Sequence, residues 1–149
     1  MKRLLLALLA GVAALLASAS VAQAAAPRII IISGEPLKRQ IVISDWEKIF
    51  QIVAEVAPAR PVSRTQLASR PRLKFSMFWG PRWNEYLASG KPASALRPRQ
   101  ADQTGSLYPA WRGRPALIDL LPWAGRWPRP LSAKALTILK RYGVPIKLP

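Results

Sequence analysis

The chemistry open to this 149-residue chain is narrow, because it contains no His and no Cys. Those absences exclude the commonest general base, a thiolate nucleophile and the usual protein ligands of zinc, haem and iron–sulfur centres. We therefore expect no metal ion and no cofactor. The acid and base groups that remain include seven carboxylates: Glu35, Asp45, Glu47, Glu55, Glu85, Asp102 and Asp119.

Two of these carboxylates, Glu85 and Asp119, are the candidates for catalysis. Glu85 lies next to aromatic residues, and Asp119 lies in an apolar stretch, where an ionised carboxylate needs a partner. A pair of carboxylates beside aromatic rings is typical of an enzyme that hydrolyses cell-wall glycan. The alternative is that Asp119 forms an ion pair with one of the many Arg side chains.

A second group of residues interleaves Trp with Arg in the last third of the chain. Neighbouring indole and guanidinium groups suit stacking on bases or sugars, or contact with lipid headgroups. The alternative is that the indoles hold a proline-rich loop against a small core. The candidate binding residues are Trp111, Arg112, Arg114, Trp123, Arg126, Trp127 and Arg129, and the alternative location is the basic loop around Arg60, Arg64 and Arg70.

The charge balance favours anionic partners. Lys and Arg number 23 against 7 Asp and Glu, which gives a formal net charge of +16. A positive field of this size attracts polyanions and raises their local concentration. We expect an anionic polymer of the cell envelope, a membrane surface or a protein as partner, with nucleic acid as a less favoured alternative.

The first 24 residues resemble a secretory signal peptide. Lys2 and Arg3 precede an apolar stretch over 4–16, and Ala22-Gln23-Ala24 has the small-x-small pattern of a cleavage site. The alternative is an uncleaved membrane anchor, since apolar and small residues continue to Ala26. We expect a single domain over 25–149, located in the periplasm or outside the cell.

The first half of that domain alternates strand and helix patterns. The run Ile29–Ile32 and the stretch 37–44 predict a β-hairpin, and 72–79 predicts a half-buried strand. Between them, Ser44-Asp45-Trp46-Glu47 matches a capping box with Ser44 as the N-cap. The helix that follows has a predicted apolar face of Trp46, Ile49, Phe50, Val53 and Val56.

The second half begins with a short predicted helix at Pro81 and ends with a helix over 133–142 that is capped by Ser132. Strands are predicted near 107–108 and over 116–121, joined by a turn at 111–114, with a closing edge strand over 144–148. These patterns predict an α+β domain in which a small antiparallel sheet of about four to five strands has two main helices packed on one face.

We therefore expect an exported, cationic and non-enzymatic module that contacts anionic surfaces or a protein partner. A cell-wall glycan hydrolase using Glu85 and Asp119 is the first alternative. Extracellular nucleic-acid binding through the Arg and Trp residues is the second.

Overall fold

The protein folds around one antiparallel sheet of six strands, and the computed structural model describes residues 27–54, 62–120 and 128–149. The strand order in the sheet is β2-β1-β3-β4-β5-β6. No helix of the described residues is long and apolar enough to cross a bilayer. The predicted leader lies outside the described residues. The strands are β1 (Ile29–Ser33), β2 (Ile41–Ile43), β3 (Leu73–Phe78), β4 (Gln103–Tyr108), β5 (Leu117–Asp119) and β6 (Arg129–Pro130).

Three α-helices accompany the sheet, so the predicted α+β class is confirmed. They are α1 (Trp46–Ala54), α2 (Pro81–Ala88) and α3 (Ala133–Arg141). The expected number of strands was too low, because β6 is a two-residue strand in a proline-rich stretch whose composition favours a loop. The C-terminal residues 144–148 add no strand, since they form only a parallel bridge between Lys147 and Ala110.

Helices α1 and α3 cover one face of the sheet, as the two apolar helical patterns predict. Alternate residues of β3 and β4 point to this face and are buried there, among them Leu73, Phe75, Met77 and Leu107. The helices contribute apolar side chains one turn apart to the same core. These are Ile49, Ile52 and Val53 from α1, and Ala135, Ile138 and Leu139 from α3.

The start of α1 differs from the sequence prediction. The backbone N–H groups of Glu47 and Lys48 donate to Asp45 Oδ1 at 3.1 and 3.2 Å, so Asp45 and not Ser44 is the capping residue. The buried residues of the helix are Ile49, Ile52 and Val53. Two of the residues predicted for the buried face are exposed, Trp46 by 52% and Phe50 by 48%, and Val56 lies outside the described residues.

Helix α2 covers part of the opposite face, at the β1 side. Its first residue is Pro81, whose missing N–H is no loss at that position. Trp83 packs edge-on against Phe78, with ring centroids 4.8 Å apart, and is buried with Ile29, Ile31 and Leu96. The predicted short helix is therefore confirmed, and it leaves the β4 and β5 side of this face to other residues.

The end of the chain matches its predicted capping groups. Ser132 Oγ accepts the N–H of Ala135 at 3.1 Å at the start of α3, and Gly143 adopts a positive φ of 81° after its end. The C-terminal segment then runs beside Ala110. There the Ala110 N–H donates to Ile146 O at 2.8 Å, and the Leu148 N–H donates to Ala110 O at 2.9 Å.

Candidate anion-binding site

Polar side chains cross the sheet on the face opposite α1 and α3. Ser33 is directly opposite Lys74, Lys74 is opposite Ser106, and Ser106 is opposite Asp119. Successive residues of a strand point to opposite faces, so these four point away from the core beneath α1 and α3. Lys74 is exposed, and the other three are half-buried. The row brings hydroxyl, ammonium and carboxylate groups together on one surface.

A cavity of about 490 Å³ lies at the Asp119 end of this row. We call it the Asp119 cavity, and its lining comprises Leu67, Ala68, Arg70, Arg72, Ser106, Tyr108 and Asp119. Two guanidinium groups, two hydroxyl groups and one carboxylate thus border one space. The volume lies within the range of roughly 300–1,000 Å³ that is usual for ligand sites.

Arg70 is the buried cation of this cavity, with only 5% of its surface exposed. Its backbone N–H donates to Leu67 O at 2.9 Å, which directs the chain inward after the 3-10 turn Arg64–Leu67. Its Nη2 donates to the carbonyl oxygens of Pro109 and Pro115, both at 2.8 Å. The side chain therefore joins the ends of β4 and β5.

Two prolines explain why these carbonyls need Arg70. The β4 and β5 ladder pairs Tyr108 with Leu117, and the backbone pairs again at Trp111 and Arg114. Pro109 and Pro115 lie between these two pairs and have no N–H to donate, so the ladder opens there. Buried carbonyl groups need a donor, and the guanidinium supplies it.

Among residues 27–54, 62–120 and 128–149, no carboxylate neutralises the charge of Arg70. No acidic side chain of the described residues forms an ion pair with Arg70. Its buried Nε also has no hydrogen-bond partner among the described residues. Burial lowers the pKa of Arg70 from its usual value, and the charge of Arg114 lowers it further, whereas Tyr108 acts in the opposite direction. The net effect is that Arg70 is held in an environment that disfavours its charge.

A second cavity, of about 310 Å³, adjoins the other side of Arg70. We call it the Arg114 cavity, and it is lined by Val62, Gln66, Arg70, Arg114, Pro115 and Leu117. Arg70 thus borders both cavities. Arg114 lines this cavity together with Arg70, and its positive charge lowers the pKa of Arg70.

The predicted turn at 111–114 is confirmed and presents its Arg side chains to solvent. Trp111 and Arg114 exchange backbone hydrogen bonds of 3.1 and 3.0 Å, and positive φ angles at Arg112 and Gly113 close the turn. The guanidinium of Arg112 lies 4.4 Å from the centroid of the Trp111 ring. This stacking keeps one cation at the tip of the turn.

The structure places the candidate catalytic and binding residues in different parts of the molecule. Trp111, Arg112 and Arg114 lie together on the turn, and Arg129 is exposed on the edge strand β6. Glu85 is exposed on α2 and does not line the Asp119 cavity, so the structure does not bring the two candidate catalytic carboxylates into that cavity. Four further candidates, Arg60, Trp123, Arg126 and Trp127, lie outside the described residues, and so does the side chain of a fifth, Arg64.

Sequence reasoning missed the role of Arg70, which it placed in an exposed basic loop. The signal was present in the two prolines at 109 and 115, which flank the predicted turn and leave carbonyl groups without ladder partners. Nothing in the sequence near Arg70 itself indicates that its side chain reaches them. The contact joins residues that are 39 and 45 positions apart.

Two other surface cavities, one larger and one smaller than the Asp119 cavity, are lined by different kinds of residues. One, of about 570 Å³, lies beside β2, and one, of about 420 Å³, lies between α1 and α3. Neither is lined by a buried charged residue. Within 27–54, 62–120 and 128–149, no group of three acidic side chains is placed to hold a metal ion.

Comparison of the chain with protein-family models, with curated proteins and with solved structures finds no significant match.

Proposed function

We propose that this protein is a non-enzymatic cationic module that binds an anionic polymer through an arginine cluster, defined as Arg70, Arg72, Arg112 and Arg114. The observation that carries the proposal is the burial of Arg70, which has no carboxylate partner in the part of the chain that the structure describes and lies beside the like charge of Arg114. Removing an ion from water costs several kcal/mol unless an opposite charge compensates. An anionic group of a ligand would provide that compensation.

The other members of the cluster extend the positive surface around Arg70. Arg72, Arg112 and Arg114 are exposed, and no carboxylate among the described residues forms an ion pair with them. Planar guanidinium groups bind carboxylate and phosphate oxygens through paired N–H donors. Several such groups within one surface fit a repeating anion better than an isolated one.

The predicted leader indicates the compartment in which this module would bind its partner. Export would place the arginine cluster among the anionic polymers of the cell envelope, and removal of Lys2 and Arg3 would leave a net charge of +14 on the remaining chain. The proposed partner is therefore an acidic envelope polymer. A membrane surface, a protein and single-stranded DNA are alternatives that the binding experiment separates.

The proposal is tested by titrating the protein with soluble polymers of known charge. Polygalacturonate and polyphosphate are the anionic probes, dextran is the neutral one, and single-stranded DNA and anionic liposomes are the alternatives. We expect binding to an anionic polymer but not to dextran. We also expect at least a tenfold loss of affinity between 0.1 and 1 M salt, because the screening length falls from about 10 to about 3 Å.

Variants locate the binding surface. Arg70→Met and Arg114→Gln should each weaken polyanion binding by about tenfold, the scale of one lost charge-assisted contact. Arg99→Gln removes an equally exposed charge from the opposite end of β3, near Asp102, and should change the affinity less than twofold. Equal losses in Arg114→Gln and Arg99→Gln would show that only net charge matters and would overturn the proposal.

A further inference from the structure

The strand β2 forms an open edge of the sheet. It lies first in the strand order, and in the part of the chain that the structure describes it pairs only with β1. The backbone N–H and C=O groups on its other side are therefore available to a further strand. Its residues, Ile41, Val42 and Ile43, carry neither charge nor proline, whereas the opposite edge strand β6 consists of Arg129 and Pro130, which discourage pairing. Of the two edges, β2 is the better suited to pair with another strand.

A groove runs along this edge. The cavity of about 570 Å³ beside β2 is bordered by residues 37–42, by Tyr142 at the end of α3 and by Ser94. Gln40 holds the Ser94 side of the groove in place, because its Nε2 donates to the carbonyl oxygens of Ser94 and Leu96 at 3.0 and 3.3 Å. Leu96 belongs to the apolar cluster on the α2 face, so the groove has one wall on each face of the sheet. An added strand occupies a groove of this kind.

The charges around β2 are complementary to those of a second copy of the same strand. Arg39 precedes Val42 and Asp45 follows it at the same separation, and both charged side chains are exposed. An antiparallel pair with a twofold axis at Val42 places each Arg39 opposite the partner's Asp45. No carboxylate of the described residues forms an ion pair with Arg39. Both capping bonds at the start of α1 go to Oδ1 of Asp45, so Oδ2 can accept from a guanidinium.

Two exposed aromatic rings fit the same register. Trp46 and Tyr142 are exposed by 52% and 36%, and they are two of the three large apolar side chains exposed in the described residues. Tyr142 lines the groove together with Lys38, and Trp46 begins α1 shortly after the end of β2. The register that pairs Arg39 with Asp45 also places Trp46 opposite the partner's Lys38, at the wall of the groove that Tyr142 forms. Pairing would thus cover apolar surface, which favours association.

We infer that β2 is a dimerisation strand, which pairs antiparallel with β2 of a second copy about Val42 and joins the two sheets into one. The interface is isologous, so each favourable contact occurs twice. The arginine cluster stays uncovered, because Arg112 and Arg114 follow β4, which lies on the far side of β3 from β2. A dimer would therefore present two arginine clusters to one long polymer, which raises the overall affinity without a new contact. The dimer itself requires no polymer.

The experiment is sedimentation equilibrium of the wild-type protein and of two charge-reversal variants, Arg39→Asp and Asp45→Arg. At about 0.15 M salt the screening length is about 8 Å, so the distant like charges of two cationic copies repel only weakly. We expect the wild-type protein to dimerise and each variant alone to do so about tenfold more weakly, because like charges then lie opposite each other twice. In a mixture of the two variants, opposite charges face each other again. We therefore expect heterodimers with close to the wild-type affinity.

Two further variants control for net charge and for folding. Arg129→Asp makes the same charge change on the opposite edge strand β6, and it should alter the dimer dissociation constant less than twofold. Asp45→Asn removes the charge but keeps an N-cap acceptor for α1, and it should weaken dimerisation severalfold while leaving the urea melt close to that of the wild type. Hydrogen exchange gives an independent readout. Amides of 41–43 should exchange more slowly at concentrations at which the dimer forms.

Three results would overturn the inference. The first is a wild-type protein that stays monomeric up to its solubility limit. The second is an equal loss of association in Arg39→Asp and Arg129→Asp, which would show that net charge and not the register of β2 controls it. The third is a mixture of Arg39→Asp and Asp45→Arg that associates no better than either variant alone. If a urea melt shows that Asp45→Arg does not fold, Asp45→Asn decides in its place. Failure to bind polyanions would remove the proposed function and leave the dimer unaffected.

Discussion

Two polar side chains hold backbone segments at opposite ends of the β3 and β4 pair, and they are neutralised differently. Asp102 accepts the backbone N–H of Trp79 at 2.9 Å and the indole N–H of Trp83, and it pairs with Arg82 at 3.0 Å. Arg70 donates to two carbonyl groups and has no acidic partner among the described residues. The first site is an ion pair, and the second is a cation for which the described residues supply no counter-charge.

The difference indicates which charge serves the fold. The contacts of Asp102 are all with residues that position α2 against the sheet, and its charge is compensated within the chain. The contacts of Arg70 need only N–H donors, which a neutral amide side chain also supplies, so the structure alone does not require its charge. We infer that the positive charge of Arg70 is retained for an external anion.

The largest expected effect is at Asp102. Asp102→Ala leaves the Trp79 N–H and the Trp83 indole without their acceptor, and we expect the free energy of unfolding to fall by about 2–4 kcal/mol. Arg82→Gln, which breaks only the exposed half of the ion pair, should cost less than about 1 kcal/mol. Urea melts of both variants measure the difference. A loss below 1 kcal/mol in Asp102→Ala would show that Asp102 does not anchor α2.

An intermediate effect is expected at Gly105, where β4 and β5 approach closely. A Cβ added there would lie 2.3 Å from the carbonyl oxygen of Asp119, so the backbone of β5 must move. We expect Gly105→Ala to lower the free energy of unfolding by about 1–3 kcal/mol, the usual cost of overpacking. A urea melt equal to that of the wild type would contradict this placement of β5.

The sequence predicts the elements that depend on neighbouring residues. The isoleucine run of β1, the Pro81 start of α2, the Ser132 cap and the 111–114 turn all follow from local patterns, and the structure confirms each. The face of α1 was predicted less well. Ile52 lies beside Ile49 and Val53 on the buried face, whereas the large rings of Trp46 and Phe50 are half exposed, because packing against the sheet decides which part of the apolar stripe is buried.

The candidate site was only partly predictable because it depends on contacts between distant residues. Arg112 and Arg114 are two residues apart in one turn, so the sequence places them together. Arg70 joins them only through the opened ladder at Pro109 and Pro115. The register that places Ser106 opposite Asp119 also depends on strand pairing, which the alternation of either strand alone does not determine.

The smallest effect on stability, and the most direct test of the account, is expected at Arg70. In Arg70→Met, the loss of two hydrogen bonds opposes the removal of a buried charge, so the free energy of unfolding should change by less than about 1 kcal/mol. The decisive measurement is a urea melt of the wild-type protein and of Arg70→Met, each with and without the anionic polymer that binds more tightly, polygalacturonate or polyphosphate, at a hundred times its wild-type dissociation constant. We predict that the ligand stabilises the wild-type protein by about 2.7 kcal/mol and Arg70→Met by much less. The account would be contradicted if Arg70→Met lost as much stability as Asp102→Ala while the ligand stabilised it as much as the wild-type protein. Arg70 would then serve only to hold the fold together.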